Sequence, residues 1–273
     1  MTVHGGSGRS MVSGKSSKAS RNTRASVVTK RATPWGTIAA VAVVLLIAVG
    51  VFGYGIAANR AKDAERAALS KFTPSATNQD PSLQIAGIVS QQYAGGQHVT
   101  PDQQVAYTHA PPFGGAHDGY WAACNGVVYP TAVRTENLVH SLEHGAVWIA
   151  YNPDQITGDA LSTLQKKVDG ERYMVMSPYP GLDSPVSLQS WGHQLKVGDV
   201  TDPRIDEFIS ALKQNQYTHP EVGASCDATG PGAFDQDNPP PFVAAPAPGT
   251  PGSQPEISAT PATVAPDAPV PSQ

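Results

Sequence analysis

The sequence predicts an α+β (or α/β) domain: a single small mixed sheet with packed helices and a loop-rich N-terminal half, preceded by one transmembrane helix. Three observations predict it. Short apolar, β-favouring runs, AVWIAY at 146–151 and YMVMS at 173–177, alternate with helical patterns at 158–168 and 202–214. Residues 93–134 are broken throughout by Gly, Pro and turn residues. One stretch, Trp35 to Ala58, carries no charge over 24 residues.

Residues 1–34 hold Arg9, Lys15, Lys18, Arg21, Arg24, Lys30 and Arg31 and no acid, among Ser, Gly, Thr and Ala. Such a segment cannot bury a core and is expected to be a disordered basic cytoplasmic tail. The 35–58 run would make a helix of about 36 Å, enough to cross a hydrocarbon core of about 30 Å. Trp35 and Tyr54 stand near its ends, where interfacial aromatics belong, and the basic flank places the N-terminus in the cytoplasm. Gly55-Ile56-Ala57 could pass for a signal-peptide cleavage site. The apolar run is longer than the roughly 7–15 residues of such a signal, so the segment reads as an uncleaved, single-pass signal-anchor. It would leave the main domain extracytoplasmic at the cell membrane.

From Asn59 onward 22 Asp and Glu oppose 11 Lys and Arg. Residues 59–79 read as a juxtamembrane stalk, with RAKDAERAALSKF at 60–72 continuing the helix, and 80–228 as the extracytoplasmic domain. Residues 229–273 read as a Pro-rich disordered tail: 231–273 holds 12 prolines and no Lys or Arg, a composition that favours extended polyproline structure. Such a tail suits a cell-wall or envelope protein partner. Only 15% of residues are charged, against a norm of about 25%, which excludes a coiled coil. The net charge of −4 gives no reason to expect nucleic acid.

Within the domain, a short strand is expected near Val127–Tyr129. Thr135 can cap a helix, TENLVHSLEHG, stopped by Gly145. AVWIAY follows as a buried strand bounded by Asn152-Pro153-Asp154. Leu161, Leu164 and Val168 share one face of a helix over 158–168. YMVMS is a second buried strand ending at PYPG. Residues 185–197 alternate like a bent strand or hairpin with Gly192 at the irregularity. Asp202-Pro203 opens a helix to about Gln214, with Ile205, Phe208, Ile209 and Leu212 facing inward.

Both cysteines, Cys124 and Cys226, follow the membrane span. In an oxidising space an even count points to a disulfide; a Cys ligand to a metal and free thiols are the alternatives. His140 and His144 are four apart on the expected helix, so their rings share one face, and Glu143 lies beside them. H-S-L-E-H fits H-x-x-E-H, in which two His hold zinc and Glu activates water. Gly145 ends the helix at once, however, and the third ligand such an enzyme needs is not singled out, although Glu207 is available. His117 sits in the Gly-rich PPFGGAH, which can deliver its ring to the same place; His98 and His109 lie in the same loop region. Imidazoles with one carboxylate suit Zn or Cu, and ordinary imidazoles would release metal as pH falls through about 6. Met174 and Met176 read as core, Tyr179 as a turn residue near the site, and His193 as an ordinary strand residue.

PPFGGAH, W-x-x-C, ENLVHSLEHGAVWIAYNPD, SPYPGL, SWGHQL and DPRIDEFI together resemble the domain of unknown function 3105 family, mainly actinobacterial proteins often carrying one N-terminal membrane helix. The resemblance covers about 83–228, and HSLEHGAVWI is its most specific piece. It implies that His98, His117, His140, Glu143, His144, Cys124 and Cys226 occupy the family's motif positions. The sequence departs from the pattern at Cys124-Asn125-Gly126, with an extra residue, and at His193, where Arg is commoner; His193 is therefore left out of the site. The family name supplies no activity. Three functions follow: an anchored domain with a His-rich metal site, in which Glu143 is the catalytic candidate if there is catalysis; a non-catalytic envelope interaction module with structural histidines; or a metal-dependent hydrolase.

Overall fold

The structure, a computed structural model, describes residues 34–257 and 263–264. The expectations for residues 1–33, 258–262 and 265–273 lie outside the described residues. The chain divides into two compact units, 1–58 and 59–273.

In the first unit, the described residues are dominated by helix α1 (Trp35–Leu69), which runs on past the unit's end. It is long and apolar enough to cross a membrane. Trp35, Leu46, Phe52 and Tyr54 are exposed along it, so among the described residues of this unit nothing buries its apolar surface, which suits lipid.

In the second unit the helix ends in a short 3-10 turn, Ser70–Phe72, whose Phe72 is buried in the domain core. Four short strands follow: β1 (Val89–Ser90), β2 (His98–Val99), β3 (Val105–Ala106) and β4 (His117–Asp118). The chain continues as β5 (Asn125–Val128), α2 (Thr135–Glu143), β6 (Val147–Tyr151), α3 (Gly158–Val168) and β7 (Met174–Pro178). A hairpin of β8 (Val186–Ser190) and β9 (His193–Val197), helix α4 (Arg204–Leu212), β10 (Gln254–Pro255) and β11 (Thr263–Val264) complete it. Among the described residues the main sheet has the order β11-β1-β9-β8-β6-β7-β5. β5, β7 and β6 run parallel, and β8, β9, β1 and β11 add antiparallel. The sheet is therefore mixed, and the 185–197 segment is the hairpin alternative.

Strand alternation sorts the core onto two faces. Val147, Ile149, Met174 and Met176 face one side with Leu164, Val168, Ile205, Phe208 and Leu212 of α3 and α4. Trp148, Ala150 and Val175 face the other, with Leu138, Val139 and Leu142 of α2 and the loop-rich 93–134 region. Parallel strands need crossover helices; α2 joins β5 to β6 on one face and α3 joins β6 to β7 on the opposite face. Asn152 ends β6 with a side-chain turn, its Oδ1 accepting from the Asp154 N–H at 2.9 Å. Asp202 starts α4, accepting from the Arg204 N–H at 2.9 Å and holding its guanidinium.

The Pro-rich stretch is attached to the domain over 229–257. Phe234 is fully buried, Phe242 packs on Tyr179, and β10 pairs in parallel with β3. Glu256 accepts from the Tyr93 hydroxyl at 3.1 Å and the Thr108 N–H at 2.8 Å. Two aromatic anchors and a carboxylate offset the ordering entropy that composition alone predicts would prevail.

Candidate metal centre

Helix α2 starts at Thr135; Arg134 occupies the capping position, without a side-chain cap, so Thr135 is the first helical residue rather than the cap. Arg134 is used elsewhere: it clamps the Asp118 carboxylate and donates to the Gln103 carbonyl at 2.7 Å. The helix stops at Glu143, with His144 as its C-cap. Gly145 follows at φ +89°, a conformation that glycine adopts without the Cβ penalty. His140 is therefore inside the helix and His144 at its end, which turns their rings 83° apart at 4.6 Å.

The loop half contributes through a pairing that no local pattern announces. β2 and β4 run side by side in parallel with His98 opposite His117, placing the rings 4.9 Å apart. The His117 ring lies 4.7 Å from that of His140, and His98 5.1 Å from it. One donor atom from each of His98, His117, His140 and Glu143 lies within 4.8 Å of the others. A tetrahedral ion with bonds of about 2.0–2.2 Å separates its donors by roughly 3.3–3.6 Å, so small side-chain rotations suffice to gather the four.

The rings are held in the orientation that metal binding needs. His117 Nδ1 donates to the Gly115 carbonyl at 2.8 Å, His140 Nδ1 to Asp118 at 2.7 Å, and His144 Nδ1 to Ser225 at 2.6 Å. Each bond assigns the proton to Nδ1 and leaves the Nε2 lone pair free, the usual support for a metal-ligating imidazole. His117 Nε2 and Glu143 Oε2 approach to 2.7 Å on side chains that are 0% exposed, yet make no aligned hydrogen bond. Two buried polar atoms facing a common point without bonding each other fit a site built for a cation. The other Glu143 oxygen accepts the Gly96 N–H at 2.6 Å.

Burial, then the nearby His117 and His144, pushes His140 down to about 3, so its ring is neutral and ready to bind across ordinary pH. Burial also lowers His144, against the Ser225 carbonyl and Glu221. For Glu143 burial pushes the carboxyl up, but the His117 ring and the Gly96 N–H outweigh it and hold it below the ordinary value.

His144 belongs to a second group: its donor atoms gather with those of His140 and Glu221, and its Nε2 lies 3.0 Å from Glu221 Oε2. The segment 219–227 brings in what sequence reasoning missed. His219 Nδ1 donates to the Glu143 carbonyl at 3.2 Å, and the Glu221 N–H to the same oxygen at 3.3 Å. Trp121 packs on His144 at 4.8 Å and donates to the Asp227 carbonyl. The segment is held down by the Cys124–Cys226 disulfide and by the Cys124 N–H on the Cys226 carbonyl at 2.9 Å. Nearness to Cys226 is the one sequence signal that pointed to it.

Other candidates fall away from the cluster. His109 packs on Phe113, and His193 bridges the Trp191 carbonyl and Asp80. Glu207 sits on α4, which packs on the opposite face of the sheet, and joins neither donor group. Met174 and Met176 are core on that same opposite face. Tyr179 packs between Trp148 and Phe242, and burial raises its hydroxyl to about 12.

No curated protein and no solved structure matches the chain. Residues 98–228 match the family described as "Protein of unknown function (DUF3105)". That span opens at His98 and closes just after Cys226, enclosing both donor groups and the disulfide. Over residues 98–228 the chain is therefore similar to the DUF3105 family.

Proposed function

We propose that this protein is a single-pass membrane-anchored, extracytoplasmic domain that binds one Zn²⁺ or Cu²⁺ ion through His98, His117, His140 and Glu143. The observation that carries the reading is the set of convergent donors, with His117 and His140 supported on backbone carbonyls. Three imidazole nitrogens and one carboxylate oxygen are the donor chemistry of these borderline ions rather than of Ca²⁺ or Mg²⁺. The apolar helix supports the anchor. The disulfide and the seven basic residues ahead of the helix support a domain outside the cytoplasm. Glu143 acts as a ligand rather than a base for bound water, because its Oε2 faces the same point as the unbonded His117 Nε2 while the Gly96 N–H holds its other oxygen. That weighs against hydrolysis through H-x-x-E-H.

The second reading, an envelope module with structural histidines, draws on the same backbone bonds: Nδ1 of His117, His140 and His144 each ties a loop down. X-ray absorption on the zinc-loaded full chain in detergent separates the two. Three nitrogen donors and one oxygen at about 2.0–2.1 Å support the centre; a shell of oxygen alone leaves the histidines structural.

A further inference from the structure

The two donor groups share one ligand. The His140 ring stands between His117 at 4.7 Å and His144 at 4.6 Å. Its Nδ1 is committed to the Asp118 carbonyl at 2.7 Å, and Asp118 is itself clamped by Arg134. Only Nε2 remains for a metal, and one lone pair serves one ion at a time. The sets His98–His117–His140–Glu143 and His140–His144–Glu221 are therefore alternative positions for an ion that uses His140.

The positions differ in access and in charge. His117 and Glu143 are fully buried, while the Glu221 side chain is 41% exposed. His98 also reaches water, but an imidazole carries no negative charge to draw a cation as a carboxylate does. The Glu221 N–H on the Glu143 carbonyl keeps the two carboxylate-bearing residues next to each other. We propose that His144 and Glu221, with His140, form an outer station through which the ion is loaded into and released from the buried set; this rests on reading that set as a metal centre. Glu221 captures the hydrated ion, His144 replaces part of its water, and His140 passes it inward to Glu143 and His117.

The test uses the full chain in detergent, with cobalt(II) alone as the probe and its visible absorption reporting the ligand set. Wild type is compared with Glu221→Gln, whose half-exposed amide leaves the fold intact, and with His144→Ala. The proposal expects one cobalt per chain in wild type and Glu221→Gln, with the same spectrum and dissociation constant. Loading and chelator-driven release are both slowed about tenfold in Glu221→Gln, and no less in His144→Ala. Unchanged rates in Glu221→Gln overturn it. So do two cobalt ions in wild type falling to one in the variant, which makes the sets independent. A weakened affinity with an altered spectrum also overturns it, by making Glu221 a ligand of the resting site. Wild type that binds no cobalt refutes the metal centre itself, and is told apart because the unaltered protein fails.

Discussion

Replacing Gly145 by Ala tests how the end of α2 is locked to the site. Two costs add at this position. The backbone sits at φ +89°, where a side chain costs about 1–2 kcal/mol. The new Cβ would lie 2.7 Å from His219 Nε2 and 2.9 Å from two ring carbons, and relieving such crowding costs about 1–3 kcal/mol. His219 has little room to give, because its Nδ1 is bonded to the Glu143 carbonyl. Gly181 is the control: it lies at φ +76° in an exposed turn with nothing within 4 Å of its Cβ position, so Gly181→Ala bears the backbone cost alone. Thermal unfolding of the full chain in detergent should show Gly145→Ala melting about 4–20 °C lower and Gly181→Ala about 2–8 °C lower, at the 2–4 °C per kcal/mol typical of this size. Equal shifts would mean that the His219 ring moves aside freely, refuting the rigid link from Gly145 through His219 to Glu143.

Two further outcomes follow from features outside the donor set. Cys124→Ser/Cys226→Ser opens a loop spanning 102 positions, which should lower stability by about 4–5 kcal/mol in denaturant titrations. Asp80→Asn removes the charge that faces His193 Nε2 at 2.9 Å and should cost about 1–2 kcal/mol near neutral pH. Burial pushes the Asp80 carboxyl up, but His193 and Ser82 outweigh it and lower it in the folded state. Its contribution is therefore complete above the unfolded value of about 3.9 and is lost as pH falls through the lower folded value. The difference in melting between wild type and Asp80→Asn should persist at pH 6 and vanish in stronger acid; a difference that grows on acidification would contradict this.

The central sheet and its helices were legible because burial imposes periodicity. Val147, Ile149 and Tyr151 against Trp148 and Ala150 announce a strand buried on both faces, and Ile205, Phe208 and Leu212 a helix with one buried stripe. His140 and Glu143 were legible for the same reason, since helical spacing fixes which side chains meet. The pairing of His98 with His117 was not, because two-residue strands carry no period and their partners lie 19 residues apart along a Gly-rich path. Glu221 and His219 were silent because the contacts that place them are long-range bonds to backbone atoms, which any residue type can offer. The attachment of 229–257 was hidden by composition: prolines dominate the count, while Phe234, Phe242 and Glu256 do the holding.

Elemental analysis of the full chain tests the central claim most directly. Protein purified in detergent, reloaded with zinc or copper and freed of loose ions, is compared with His117→Ala/His140→Ala in which the disulfide and far-ultraviolet circular dichroism are unchanged. The account predicts one zinc or copper per wild-type chain and none in the folded double variant. A folded wild type that retains neither metal after reloading, or a double variant that retains as much as wild type, would contradict it.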